Sequence, residues 1–238
     1  MEMNSIPTID ISPLIHLNER SCNNNTSIED DLLKDTIKQI KHASTTVGFF
    51  AIINHNISND SIANAWDIST QFFDCDTSIK ESVPMTATYP YGYENFESLG
   101  IERSISSTAS DDDDNLLVDS KETFSIGPSN SELSGMPPRQ FPSKPATLGA
   151  ALIQYFNDME KLAQVLFRGL ALALELNEDW FLQDGRFTSE GHQSALRVLN
   201  YPTLEYNKEE GKKKVHIRAG AHTDYGEWWY SSCIIYSM

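Results

Sequence analysis

Three cysteines in 238 residues, Cys22, Cys75 and Cys233, are too few and too far apart for a disulfide framework, and none sits in a Cys-x-x-Cys pair of the kind that holds zinc. That usage suits a reducing compartment, and a cytoplasmic protein is the expectation. Long apolar runs are missing as well. No stretch approaches the ~20 residues of a membrane helix, and Met1-Glu2-Met3-Asn4-Ser5 lacks a basic segment followed by an apolar one, so neither a span nor a secretory leader is expected. Basic residues are scarce: 18 Lys and Arg stand against 34 Asp and Glu, a net charge of −16 that repels phosphate backbones and argues against a nucleic-acid partner. What remains, 39% hydrophobic with 10% aromatic residues, is a globular composition long enough to bury a core.

Read in order, Ile6 to Ile11 alternates as a short strand and stops at the turn Ser12-Pro13. Ser27-Ile28-Glu29-Asp30 is a capping-box pattern, and Leu32, Leu33, Ile37, Ile40 and Val47 continue at helical spacing until Gly48. The run Phe49 to Ile53 predicts a strand buried on both faces. His55 follows at the strand end and is expected to be a structural hydrogen-bonder. A second amphipathic helix, about Asp60 to Phe73, shows Ile62, Trp66, Ser69 and Phe73 on one face. Residues 98–120, with the run Asp111 to Asp114, form a solvated acidic loop that lacks the alternating ligands of a calcium site. Lys121 to Gly127 is a strand, and Pro137, Pro138, Pro142 and Pro145 mark a stiff connector. The longest helix then runs from Thr147 to about Leu176 on a stripe that includes Leu148, Leu152, Leu162, Leu166, Leu170 and Leu174, which is core packing. Ala195 to Pro202 and Val215 to Ala219 read as strands.

At the end of the last strand stands His222-Thr223-Asp224. In an extended chain, residues two apart face the same way, so an imidazole and a carboxylate lie side by side. They are two thirds of the 2-His-1-carboxylate triad that holds non-haem Fe(II) with an open coordination face. With six histidines and seventeen aspartates in 238 residues, chance alone supplies roughly 0.4 such pairs, so the surrounding sequence must decide.

It contains Ile6-Pro7-Thr8-Ile9-Asp10, Gly48-Phe49-Phe50 with Asn54-His55, Gly92-Tyr93, Lys121-Glu122-Thr123-Phe124, Leu196-Arg197 with Tyr201-Pro202, and Ala221-His222-Thr223-Asp224-Tyr225-Gly226. In this order the segments resemble the 2-oxoglutarate- and Fe(II)-dependent dioxygenases, in the branch that includes isopenicillin N synthase. The resemblance implies an α+β fold, with an N-terminal helical region packed on a double-stranded β-helix (jelly-roll) core that is incomplete here. It implies residues 6–127 as the non-haem dioxygenase N-terminal region, 145–226 as the long helix and first part of the jelly-roll domain, and 227–238 as a divergent tail. It puts iron on His222 and Asp224, and it puts Tyr201 against the carboxylate of 2-oxoglutarate. A small organic substrate is implied, but not its identity.

Three departures qualify that picture. Leu199 stands where the family's Asn-x-Tyr-Pro segment has its asparagine. Asn56 replaces a usual glycine, a change that asparagine's tolerance of left-handed backbone permits. Beyond Gly226 the family continues to a second histidine and an Arg-x-Ser pair, whereas no His or Arg follows Asp224 here. The expectation is a C-terminally truncated family member, inactive as it stands and binding Fe(II) and 2-oxoglutarate weakly or not at all. The alternatives are a non-catalytic binding or regulatory module and a 2-oxoglutarate-independent oxidase of the same fold. His192 or His216 could in principle supply a third ligand.

Overall fold

The computed structural model of the chain describes residues 6–19, 27–95, 121–128, 137–183 and 194–201. The chain divides into two compact units. One comprises Met1–Glu94 and Thr123–Val198, and the other Asn95–Glu122 and Leu199–Met238. Nearly all described residues belong to the first.

The first unit opens with β1 (Thr8–Asp10), α1 (Ser12–Glu19), α2 (Ser27–Thr46) and β2 (Ala51–Ile53). β1 and β2 pair in parallel with Thr8 opposite Ala51, Ile9 opposite Ile52 and Asp10 opposite Ile53. Ser12-Pro13 was expected to be a turn, yet it starts α1. Asp10 Oδ1 accepts the Ser12 N–H at 2.9 Å, and proline in a first helical turn lacks only an N–H that has no intrahelical partner there. The second correction concerns β2, expected to be buried on both faces. Among the described residues its sheet has two strands, and Phe49 just before it is 68% exposed and Ile53 47% exposed. In α2 the buried face is Thr36, Ile40 and Ala43, while Leu32 of the expected stripe is exposed.

Next come α3 (Asn59–Phe73), capped by Ser58, the short α4 (Thr77–Lys80), β3 (Gly92–Asn95) and β4 (Glu122–Ile126). Gly92 takes φ +89°, and a Cβ there would meet Val83 O at 2.5 Å, so no other residue fits this entry to the strand. The long helix α5 (Leu148–Ala173) follows, then a 3-10 turn at Trp180–Leu182 and β5 (Leu196–Asn200). β3, β4 and β5 form a second sheet in that order.

α5 fulfils the expected stripe from Leu148 to Leu170, but it ends at Ala173. Glu175 turns left-handed (φ 61°), and Leu174 lies outside at 59% exposure. Its N-terminal half joins α3 and β4 in one core cluster that holds Phe72, Phe124, Ile126, Leu148, Leu152 and Phe156. Its C-terminal half meets α1 and α2, and Gly169 lets them approach: a Cβ would come within 2.7 Å of Leu14 Cδ1 and 3.2 Å of Ile40 Cδ1. Glycine inside a helix costs about 1 kcal/mol relative to alanine, and here it avoids an overpacking of comparable or larger cost against two buried side chains.

Phe72 is the centre of the aromatic core. Its ring lies 4.9 Å from Phe124, 5.2 Å from Phe73 and 6.1 Å, edge on, from Tyr93, and the residue is fully buried. Phe72→Ala is therefore expected to cost about 3–5 kcal/mol, seen as a lower urea midpoint with an unchanged slope. A loss below about 1 kcal/mol would contradict this packing.

Candidate functional site

β4 separates two environments because successive side chains alternate. Phe124 and Ile126 enter the core cluster, and on β5 Leu196 and Val198 pack against the same cluster. The intervening residues form a polar face. Thr123 and Ser125 are buried, Arg197 Nε donates to Ser125 Oγ at 3.2 Å, and Thr123 Oγ1 has no hydrogen-bond partner among the described residues. A buried hydroxyl without a partner costs about 1–3 kcal/mol.

In the second unit, Asn200 Nδ2 donates to Glu122 Oε1 at 2.8 Å. Tyr201, the expected 2-oxoglutarate contact, follows β5 directly and is 41% exposed, and Leu199 two residues earlier is 45% exposed. His222 and Asp224 lie outside the described residues, as do His192 and His216. Among the described residues no group of three or more His, Cys, Asp or Glu side chains is placed to hold a metal ion, and no described helix is long and apolar enough to cross a membrane.

The family model described as the N-terminal region of the non-haem dioxygenase in morphine synthesis matches residues 6–144, more than half the chain. This chain is a non-haem dioxygenase family member. The wider group is that of the Fe(II)- and 2-oxoglutarate-dependent oxygenases. Homoarginine-6-hydroxylase 2-ODD-C23.2 of Arabidopsis thaliana is 28% identical over 224 residues, 93% of this chain and 57% of the relative. The 2-oxoglutarate-dependent dioxygenase ecdK of Aspergillus rugulosus is 29% identical over 194 residues, 76% of this chain and 54% of the relative. A full-length protein of Neurospora crassa, crystallised in complex with α-ketoglutarate and thymine, matches with a TM-score of 0.67 at 22% identity, over 93% of this chain and 62% of that one. The chain thus spans less than two thirds of the length of these relatives. The chain shares the α+β class of this dioxygenase family, helices fronting a jelly-roll core, with the sheet incomplete among the described residues.

Two features of the dioxygenase chain had no sequence signal. Arg139, in the proline-rich connector, donates from Nε to Gly127 O at 2.7 Å and lies 4.6 Å above the Phe156 ring. Burial lowers its pKa, opposed by Glu160, Tyr89 and Tyr91, and burial raises both tyrosines. Tyr89 Oη also accepts the Gln140 N–H at 2.9 Å, so the connector is fastened on both sides. Nothing in Pro137-Pro138-Arg139-Gln140 distinguishes that arginine from a solvated one.

The second feature is Asp10. Beside its bond to Ser12, Oδ2 accepts from Asn54 Nδ2 at 2.8 Å, and this ties the start of α1 to the loop that carries His55. Asn54 and Asn56 are both left-handed (φ 58°), and His55 Nδ1 accepts the Ile57 N–H at 3.1 Å, so His55 is the hydrogen-bonder its position suggested. The Asp10 carboxyl is held below its ordinary value of 3.8, first by the Ser12 backbone N–H, then by the Ser12 hydroxyl and by Asn54, against a raising effect of burial. A lowered folded-state pKa means that the stabilisation is complete above the ordinary carboxylate range and is lost as pH falls through the lower folded value. Asp10→Ala should cost about 0.5–1 kcal/mol at pH 7, the low end because the carboxylate is exposed, and much less near pH 2. Asp10→Asn, which keeps a cap but does not titrate, should flatten that dependence. Urea unfolding at both pH values checks this, and an equal cost for Asp10→Ala at each pH would count against it.

Proposed function

We propose that this polypeptide supplies residues 6–127 as the N-terminal helical region and 145–226 as the first part of the jelly-roll domain of an Fe(II)/2-oxoglutarate-dependent dioxygenase that oxidises a small organic substrate, with 227–238 a divergent tail. The observation that carries the reading is the pair His222 and Asp224, two residues apart, in a chain that belongs to this dioxygenase family. An imidazole and a carboxylate are the donor types that suit Fe(II), so the residues present fit the metal. When bound, iron and 2-oxoglutarate supply the O2-dependent oxidation of a C–H bond. The protein's share is to hold the metal through His222 and Asp224, to orient the co-substrate carboxylate through Tyr201, and to keep water from the reacting centre.

Two ligands at family positions hold iron weakly. Titrating Mn(II) or anaerobic Fe(II) into the 238-residue chain is expected to show weak binding that His222→Ala removes. Tight stoichiometric binding would refute the two-ligand site and point to His192 or His216 as the third.

A dicarboxylate in a water-poor site also needs a cation at its far end, since an unpaired buried charge costs several kcal/mol. The family's arginine after the ligand pair has no counterpart among these 238 residues. The polypeptide alone is thus expected to form no succinate above a His222→Ala control. Iron-dependent succinate formation would overturn that expectation; in its absence, iron-dependent O2 consumption without 2-oxoglutarate would favour a 2-oxoglutarate-independent oxidase, and no O2 consumption a non-catalytic binding or regulatory role.

A further inference from the structure

A cavity of about 420 Å³ lies among the loop of His55, the start of α3, α1 and the middle of α5. Its volume is within the range of small-molecule sites. Ile15, Ile57, Leu162 and Val165 make an apolar wall. The polar lining is unevenly committed. The Asp158 carboxylate is already engaged at both oxygens, Oδ2 by Ser61 Oγ at 2.7 Å and Oδ1 by Gln154 Nε2 at 3.0 Å.

Lys161, three residues further along α5 and so on the same side of the helix, has no hydrogen-bond or ion-pair partner among the described residues. His55 is also half-committed. Its Nδ1 accepts the Ile57 N–H, so in the neutral ring the hydrogen sits on Nε2, which is a donor. The Ile57 N–H bond orients the ring, in a loop whose Asn54 and Asn56 take the left-handed backbone that asparagine tolerates. Lys161 Nζ and His55 Nε2 are thus two uncommitted donors on a lining that also carries the Asn56 amide and Gln154 Oε1; Lys161 supplies the one positive charge among these groups, and the lining adjoins the positive end of the fifteen-residue helix α3.

We propose that this cavity binds a small organic monocarboxylate, its head group between Lys161 Nζ and His55 Nε2 and its hydrocarbon body along Ile15, Ile57, Leu162 and Val165. A single negative charge matches one lysine and one neutral imidazole. A phosphate dianion does not, because it would meet the Asp158 carboxylate on the same lining with only that one cation to offset it.

The test uses the full chain without iron, in chelator, with hexanoate as probe and hexanamide as its neutral counterpart, both titrated by calorimetry. Hexanoate is expected to bind, and hexanamide about tenfold or more weakly, since a hydrogen bond to a charged group is at stake. Lys161→Met keeps the apolar stem on an exposed helix position, so the fold survives; it should lower hexanoate affinity about tenfold and leave hexanamide unchanged. His222→Ala should leave both affinities unchanged, which separates this site from any failure of the iron reading. Absence of hexanoate binding at millimolar concentration, equal affinity for the two probes, a wild-type response in Lys161→Met, or loss of binding in His222→Ala would each overturn the proposal.

Discussion

The burial of α5 is the constraint on which the described structure depends. A helix of 26 residues is roughly 39 Å long, enough to serve two neighbourhoods at once. At its N-terminal end Leu148, Leu152 and Phe156 enter the aromatic cluster around Phe72 and Phe124, and at its C-terminal end Gly169 admits Leu14 of α1 and Ile40 of α2. Helices α1, α2 and α3 are distant from it in sequence yet α5 touches all three, and strands β3, β4 and β5 contribute to the cluster that its N-terminal half joins.

Polar groups then refine what the apolar core positions. Asp10 serves three partners: its carboxylate caps α1 and holds Asn54, and its backbone carbonyl accepts from Thr36 Oγ1 of α2 at 3.2 Å. Arg139 does the same for the proline-rich connector by combining a backbone hydrogen bond with a stacking contact on Phe156. The two differ in how fully they are matched: both Asp10 carboxylate oxygens accept hydrogen bonds, whereas Arg139 keeps a buried Nη2 without a partner among the described residues and is held by one backbone hydrogen bond and the Phe156 ring.

The second sheet has one apolar and one polar side. A strand whose two faces are both buried is ordinarily apolar throughout, yet β4 carries Thr123 and Ser125 on the face opposite Phe124 and Ile126, with Arg197 beside them. The Glu122 to Asn200 and Ser125 to Arg197 bonds pair residues in opposite order along the two strands, so β4 and β5 run antiparallel, as in a jelly roll.

By itself the sequence determined the existence of the elements with strong periodicity: α2, α3, α5 and the strand β5 all appear within a few residues of their expected limits. It also carried the dioxygenase family through short ordered segments, and the tolerance of Asn56 for a left-handed backbone. Tertiary structure alone decided which face of each helix is covered. Leu32 and Leu174 look like core residues by spacing and are exposed, because α2 is buried on the side of Thr36 and Ile40, and Glu175 ends α5 before Leu174 can pack. Phe49 to Ile53 reads as an interior strand but lies on a two-stranded sheet with nothing described across its outer edge. The physical reason is that periodicity reports an apolar face without its partner, whereas burial and hydrogen bonding are properties of pairs. Asn54 lies 44 residues from Asp10, and Gly127 lies 12 from Arg139, in a chain that only folding brings together.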